Sequence, residues 1–573
     1  MLGNTSAEVG ASLAFARTMV REAVTAWWNA RQNNLLKPWP IVDPPSHIQF
    51  VALPENEARQ AQDFGLNHVD SPKASYTIGC YYTQLMPKSV QSHFGAFYTP
   101  PALCERLLDL VTEEGVDWRS ARVLDPACGG GAFLSPVARR MVLSLSSLPP
   151  RTALKNILSR LCGYELDPFA GWLSRVFLED TLGGLCRAAG ARADQVVEIC
   201  NSLEREPDTF DLIVGNPPYG RITLDMRLRE RFRRSLYGHA NLYGVFTDLA
   251  LRLSGPGSVI GYVTPTSFLA GEYFKKLRGL LALEAPPASV DFVSERKGIF
   301  VGVLQETMLA VFRKGARRGV GRVHHIALSS NGRGSQIEAV SAISAGVFEL
   351  PRDPAQPWLL PRRGNDNDLI RTTERMPHRL ANYGYGVSTG PLVWNRHKTS
   401  LRATSATGRY PLIWAESVRS DGLFEFRARR KNHAPYFEPL PNERWVVVDS
   451  GCVLVQRTTA KEQSRRLIAA ELPASFVRRH KGVVVENHLN MIRPTNGKVS
   501  LSQSALAALL NTEVLDRVLR CINGSVAVSA YELECLPLPS PREMQVIERL
   551  VAKGSAREAI ERAACRAYGG KPD

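Results

Sequence analysis

Residues 122–134, R-V-L-D-P-A-C-G-G-G-A-F-L, constrain the fold more than any other stretch of this chain. Val123 and Leu124 read as the end of a strand that Asp125 closes. Gly129, Gly130 and Gly131 let the backbone approach a ligand closely, and Phe133 and Leu134 open an apolar helix face. A strand that turns through glycines into a helix is the start of a crossover unit, so the surrounding chain is expected to build a helix-covered parallel sheet. The spacing is not the G-x-G-x-x-G of dinucleotide sites, and no G-x-x-x-x-G-K-[ST] phosphate loop is present. A carboxylate ahead of the glycines repels a pyrophosphate but suits a cation, such as a sulfonium carrying an α-amino group. That chemistry favours S-adenosylmethionine over NAD.

Further strand ends follow at intervals. Residues 162–168, C-G-Y-E-L-D-P, end a second strand on Glu165, where an acid can accept both hydroxyls of a ribose. Residues 196–203 read as a third strand ending on Asn201. Residues 210–220, F-D-L-I-V-G-N-P-P-Y-G, form a short buried strand that ends on Asn216, Pro217, Pro218 and Tyr219. The two prolines fix φ and remove two backbone donors, so this loop offers carbonyls and the Asn216 amide oxygen as acceptors. Tyr219 adds an aromatic face, and the combination suits a flat group bearing an amine, as in an amino-purine. A helix over 241–253 and strands over 258–264, 289–293 and 306–312 complete seven strands. The last two are joined without a helix, which predicts a mostly parallel sheet with an antiparallel edge.

The flanks carry other signals. Residues 7–31 have apolar residues at helical spacing and a proline-rich stretch after them, which predicts a helical arm packed on the sheet domain. From about residue 383 the pattern shifts to short strands and turns, with basic clusters at 427–433 and 478–481 among Trp394, Trp414 and Tyr436. Arg396, Arg427, Arg430, Arg457, Lys461 and Lys481 are candidates for gripping phosphates and reading bases. Helical patterns return at 504–518 and from about 542 to 568. The expected domains are an arm over 1–90, a catalytic domain over 91–318, a target-recognition domain over 319–541 and a terminal helix over 542–573.

The formal charge of +16 points to a polyanion, nucleic acid first, although an arginine-rich proteome gives the same excess. Ten cysteines without C-x-x-C or zinc spacing predict reduced thiols in a cytoplasm and no metal site. No apolar run reaches the roughly 18 residues of a membrane span.

Taken together, residues 122–134 and 216–219 in this order, with N-L-Y-G-V-F at 241–246, resemble the TaqI-like, N6-adenine class of amino-methylating DNA methyltransferases of restriction-modification systems. The likeness runs from about residue 94 to 313, and residues 385–541 look like that family's target-recognition domain. It implies an α/β, Rossmann-like S-adenosylmethionine-dependent methyltransferase domain with a mixed seven-stranded sheet, plus a C-terminal α+β domain. It also implies roles. Phe94, Tyr98 and Thr99 help hold the cofactor's methionine end. Asp125 and the loop Ala127, Cys128, Gly129 and Gly131 take its amino acid part, and Glu165 takes the ribose. Asn201 stands where the family usually has an aspartate for the cofactor's adenine amine, and an asparagine oxygen can still accept that bond.

Asn216 and the Pro217 carbonyl would accept from the target amine, with Pro218 completing the loop, and Tyr219 and Phe312 would clamp the base. The target must be flipped out of double-stranded DNA for direct methyl transfer, with no metal or covalent intermediate. Cys128 is then a packing residue. A separate cognate restriction endonuclease acting on the same site is the expected companion, since residues 1–90 hold no P-D and E-x-K nuclease arrangement. Cytosine N4, RNA or a protein glutamine are alternative acceptors for such a loop, and a DNA-binding specificity module with an inactive methylase core is the reading from another class.

Overall fold

The computed structural model describes residues 6–33, 35, 38–69, 73–95, 97–193, 196–206, 208–293, 306–330, 337–458, 465–495, 499–522 and 527–570. By contacts the chain forms two units, Met1–Pro265 with Lys276–Ser344, and Thr266–Lys275 with Ala345–Asp573.

Four helices open the first unit: α1 (Ser6–Gln32), α2 (Glu55–Leu66), α3 (Ala74–Leu85) and α4 (Lys88–Phe94). After them come α5 (Pro101–Glu113), β1 (Val123–Asp125), α6 (Leu134–Ser144), α7 (Pro150–Leu158), β2 (Leu161–Glu165), α8 (Pro168–Ala189), β3 (Val197–Ile199) and β4 (Phe210–Gly215). A small hairpin of β5 (Arg221–Ile222) and β6 (Ala240–Asn241) encloses α9 (Met226–Arg231) and leads into α10 (Leu242–Arg252) and β7 (Ser254–Pro265). The unit ends with α11 (Lys275–Glu284), β8 (Pro287–Val293), β9 (Thr307–Arg313), β10 (Gly321–Ser330) and β11 (Ile337–Phe348).

The sheet runs β11-β10-β8-β9-β7-β4-β1-β2-β3. The seven expected strands are all present, and β10 and β11 raise the count to nine. β1, β2, β3, β4 and β7 are parallel, and β9 runs antiparallel to both β7 and β8. The antiparallel strand is therefore interior rather than an edge. Its cause is local: β9 follows β8 without a helical crossover and must reverse direction, while α11 has already carried β8 one position beyond β7, leaving the gap that β9 fills. Apolar residues of β1, β4, β7 and β9 pack against α5 and α6 in one continuous core that includes Leu107, Val111, Val123, Leu134, Val137, Leu212, Val214, Val259 and Leu309.

Successive strands leave in opposite directions from β1: β2 and β3 on one side, β4 and β7 on the other. Such a reversal opens a crevice at the carboxyl ends of the two central strands. The register Leu124↔Ile213 brings Asp125 beside Gly215, where a Cβ would lie 2.7 Å from Asp125 Oδ1. Only a glycine ends β4 without disturbing that acid.

The amphipathic spacing over residues 7–31 becomes α1, whose Ala16, Val20, Val24, Trp27 and Trp28 are buried against Ile78 and Tyr82 of α3 and Phe169, Trp172 and Phe177 of α8.

The second unit contains a four-stranded antiparallel sheet in the order Tyr385–Thr389, Leu489–Pro494, Cys452–Gln456, Ala469–Leu472. A five-stranded sheet runs Leu401–Arg402, Tyr436–Phe437, Tyr410–Ile413, Val483–Val485, Val447–Val448. The helical pattern at 504–518 is two helices, Gln503–Leu510 and Glu513–Ile522. The terminal pattern is also two, Pro541–Ala552 and Arg557–Ala567, because Gly554 takes a φ of +63° and ends the first. Met544, Ile547, Ala564 and Tyr568 of this pair are buried in the unit's core with Val453 and Leu506, so the terminal segment is built into the core. No helix among the described residues is long and apolar enough to cross a membrane.

Candidate active site

The carboxyl ends of β1, β2 and β4 deliver polar groups into one cavity of about 930 Å3 within the first unit. At β1, Asp125 is 1 % exposed and its Oδ1 accepts from the Ala127 amide at 3.1 Å. At β2, the Leu166 and Asp167 amides each donate to Glu165 Oε1 at 2.9 Å, and the Gly129 amide donates to Oε2 at 2.7 Å. Glu165 thus faces the cavity and also holds the glycine loop in shape.

Burial pushes the Asp125 carboxyl up to about 8, against the pull of the Ala127 amide and with a smaller further push from the Glu165 charge. Burial likewise raises Glu165 to about 7, against the amides that donate to it. Both acids are poised to gain from a ligand that brings positive charge or hydrogen-bond donors. Cys128 is buried, its thiol driven up first by burial and then by these two carboxylates, and a Cβ at Gly163 would sit 3.0 Å from its sulfur. A thiol so held packs and does not attack.

At β4, the Asn216 amide nitrogen donates to Thr99 Oγ1 at 3.1 Å. Its Oδ1 is buried and meets no donor among the described residues. Tyr219 donates from its hydroxyl to the Val263 carbonyl at 3.2 Å and stands edge-on to Tyr243 at 6.1 Å, so its ring is tethered while it lines the cavity. The 94–99 segment backs this loop. Gly95 has a φ of +60°, and a Cβ there would lie 2.5 Å from Pro218 Cβ. Beyond Tyr219, the Leu242 amide donates to the Gly220 carbonyl at 2.9 Å, and the β5–β6 hairpin fastens the loop to α10.

Phe94, Tyr98, Thr99, Asp125, Ala127, Cys128, Gly129, Glu165, Asn201, Asn216, Pro218 and Tyr219 all line this cavity. Gly131 does not: its φ is +81° and a Cβ would strike Ser174 Oγ at 2.7 Å, so it serves the packing of the loop on α8. Pro217 is buried and turned away from the cavity lining. Phe312 also lies elsewhere. It is 1 % exposed and pairs with Ile260 and Pro287, five residues along β9 from Thr307, the residue paired with Pro265 at the carboxyl end of β7. An antiparallel β9 ends at the opposite edge of the sheet from the cavity, which is why its last aromatic is core. Asn201 reaches the cavity, but its Oδ1 accepts from the Leu203 amide at 3.2 Å and its Nδ2 donates to Glu204 at 2.9 Å, so both ends of the amide cap the turn Ser202–Glu204.

Residues not anticipated complete the lining. Phe97, Phe133, Leu203 and Phe246 supply apolar surface beside Gly130 of the expected glycine loop, and Tyr82 and Ser92 come from the N-terminal helices. Phe246 and Gly130 lie inside motifs legible in the sequence; nothing at Tyr82 marked it. The cavity's size suits a nucleoside-sized molecule together with a planar base. The two raised acids at one end and the orphaned amide oxygen at the other fit a cationic, hydroxyl-bearing ligand and an amine.

Among the candidate DNA contacts in the second unit, Arg396, Arg430 and Lys481 are exposed. Lys481 sits at a φ of +56°. Arg427 donates from Nε to the Glu416 carbonyl, and Arg457 donates to the Asn487 carbonyl at 3.4 Å, so both are engaged inside the unit. Lys461 lies outside the described residues. Arg430 borders a smaller cavity of about 450 Å3 with Trp394, Trp414 and His433. Among the described residues no group of three or more His, Cys, Asp or Glu is arranged to hold a metal.

The sheet order and the cavity at its switch point define an α/β protein of the Rossmann-like methyltransferase fold with an additional α+β unit. The family described as Eco57I restriction-modification methylase matches residues 188–300. The chain is 26% identical over 459 residues to the type II methyltransferase M.BsuBI of Bacillus subtilis, covering 78% of this chain and 88% of that one. It is 26% identical over 367 residues to the type II methyltransferase M.PstI of Providencia stuartii, covering 61% and 69%. Among solved structures, the type IIL restriction-modification enzyme MmeI in complex with DNA shares the fold with a TM-score of 0.54 at 13% identity, over 97% of this chain and 88% of that one. The chain is thus similar in sequence to proteins named as type II methyltransferases.

Proposed function

We propose that the protein is a site-specific DNA methyltransferase that moves a methyl group from S-adenosylmethionine to the N6 amine of adenine in duplex DNA. In this reading it is the modification enzyme of a restriction-modification system, with cleavage left to a separate endonuclease. The observation that carries the proposal is Asn216. A buried amide oxygen without a donor costs about 1–3 kcal/mol, and such an atom beside a tethered aromatic face calls for an amine on a planar ring.

When bound, S-adenosylmethionine supplies an electrophilic methyl group on a sulfonium. Asp125 and the 127–129 loop would hold its amino acid end, Glu165 its ribose hydroxyls, and Leu203, Phe133 and Phe246 offer its adenine an apolar slot. Thr99 keeps the Asn216 amide from rotating, so that Oδ1 stays aimed at the target. Asn216 Oδ1 would accept an amine hydrogen, which returns lone-pair density to a nitrogen otherwise conjugated with the ring. Tyr219 would stack on the extruded base, whose unstacking costs a few kcal/mol. The resemblance of residues 122–134, 216–219 and 241–246 to the N6-adenine class favours adenine over cytosine N4 as the acceptor.

Expression in a host free of DNA methylation, followed by sequencing for modified bases, is expected to find N6-methyladenine at one recurring motif. Methylated cytosine, or no methylation, overturns the proposal. Asn216→Ala is expected to fold and bind S-adenosylmethionine while losing at least about a hundredfold in transfer rate.

A further inference from the structure

The N-terminal helices are not required by the chemistry just described, and α1 holds its place through an apolar seam. Trp27, Trp28, Val20 and Val24 pack with Ile78, Phe169, Trp172 and Phe177 in one buried cluster. Across this seam lies a charged contact that docking does not explain. Arg17 Nη2 of α1 is 2.9 Å from Asp167 Oδ1, and the Tyr82 hydroxyl of α3 donates to Asp167 Oδ2 at 2.8 Å. Arg17 Nε lies 3.4 Å from the same hydroxyl. The side chains of Arg17 and Asp167 are 14% and 2% exposed. Withdrawing such a pair from water costs several kcal/mol that an apolar pair at the same place would not.

What the contact reaches is the strand end beside it. Asp167 stands two residues after Glu165, and its amide is one of the donors to Glu165 Oε1. Glu165 Oε2 in turn takes the Gly129 amide of the glycine loop. Asp167 Oδ1 also accepts from the Phe169 amide at 3.1 Å and so caps α8. Two side chains of the N-terminal helices therefore fix the rotamer of one buried aspartate, whose backbone fixes the acid facing the cavity. A second contact runs alongside. The Tyr98 ring is wedged between α3 and the loop, since a Cβ at Gly79 would lie 2.0 Å from Tyr98 Cε1 and one at Gly130 would lie 2.4 Å from its hydroxyl. Tyr82 itself lines the cavity.

We propose that the N-terminal helices are part of the S-adenosylmethionine site, with Arg17 and Tyr82 as positioning residues that hold Asp167, and through it Glu165 and the glycine loop, in the binding geometry. The inference rests on the methyltransferase reading and adds to it α1, which is remote in sequence from every motif. Arg31 of the same helix supplies an internal control. It pairs with Asp180 of α8 at 2.9 Å, with the two side chains 39% and 23% exposed, and neither residue lines the cavity.

The test measures S-adenosylmethionine binding by titration calorimetry, and transfer at saturating S-adenosylmethionine, for the full chain and for Arg17→Ala, Arg17→Lys, Tyr82→Phe and Arg31→Ala. Arg17→Ala is expected to weaken binding about tenfold with the saturated rate changed less than about threefold. Arg17→Lys should recover part of the loss, Tyr82→Phe should lose about threefold, and Arg31→Ala should bind as the wild type does. Tyr82→Phe removes one hydroxyl and keeps the ring, so it tests the idea even where Arg17→Ala fails to fold. Unchanged binding in folded Arg17→Ala and Tyr82→Phe overturns the inference, as does equal weakening in Arg31→Ala, which makes the helices a general prop. A wild-type protein that binds no S-adenosylmethionine overturns the functional reading together with the inference.

Discussion

At the scale of single residues, Asp125 concentrates the electrostatics of the site. Its carboxyl sits 1 % exposed with one amide donor, and burial lifts it from 3.8 to about 8. A group whose folded value lies above its unfolded value contributes stability fully present below the unfolded value, and this contribution is lost as the pH rises through the folded value. For Asp125 the window runs from about pH 4 to about 8. Thermal melts of the ligand-free protein are therefore expected to fall between pH 5 and 8.5, and Asp125→Asn to flatten part of that slope. Parallel slopes for the two proteins would remove the argument. A cationic ligand favours the ionised acid, so its binding should release protons near pH 7.5. Calorimetry in buffers of different ionisation enthalpy reads that release directly. Most of the cofactor and target-base residues singled out from sequence do line the cavity, because they stand at or just beyond the carboxyl ends of neighbouring parallel strands, which open on one edge of the sheet. The misses have a common cause. Phe312 and Gly131 were placed by their distance along a motif, and neither strand direction nor the α8 neighbour at Ser174 is visible in that distance.

At the scale of elements, the glycine loop depends on what stands behind it. The Tyr98 ring cannot retreat from Gly130, because Gly79 is closed against its other side. Gly130→Ala is expected to cost about 1–3 kcal/mol by overpacking and to weaken S-adenosylmethionine binding at least tenfold. Adding Tyr98→Phe removes the hydroxyl but keeps Cε1, which lies 2.5 Å from the new methyl, so it should recover little of either loss, as read by thermal melts and calorimetry. A fully stable, tightly binding Gly130→Ala would show that the loop has room the distances deny. The strand, loop and helix succession was legible because each crossover leaves its own hydrophobic period in the chain. The order of the strands was not. That β9 slots between β8 and β7 follows from the crossover through α11 and from hydrogen-bonding partners hundreds of atoms away, and no local pattern encodes it. The same holds for the terminal helices, where one glycine at a φ of +63° divides what periodicity alone joins.

At the scale of the whole molecule, 71 basic residues against 55 acidic ones leave an excess of 16 for a polyanion to meet. Many of these charges are spent internally, as Arg427 on the Glu416 carbonyl and Arg234 on Asp248 and Glu284 show. Exposed Arg430 and Lys481 are the sounder candidates for phosphate contact. Affinity for duplex DNA is expected to fall linearly in log–log form with salt. Replacing either residue by Ala should reduce that slope by about 1 while leaving S-adenosylmethionine binding unchanged. An unaltered slope would assign those side chains to solvent.

The amino-acid sequence by itself determined the chemistry on offer: an acid before three glycines, a second acid at the next strand end, and an asparagine and tyrosine held by prolines. These are local, since backbone freedom and side-chain type act within a few residues. Only the tertiary structure decided which of those groups share one cavity. It left the Asn216 oxygen without a donor by setting Thr99 against the other end of the amide, and it brought Arg17 and Tyr82 to the residue behind Glu165. Those outcomes depend on the packing of elements far apart in the chain, where burial removes water as the alternative partner and makes each hydrogen bond, or its absence, count.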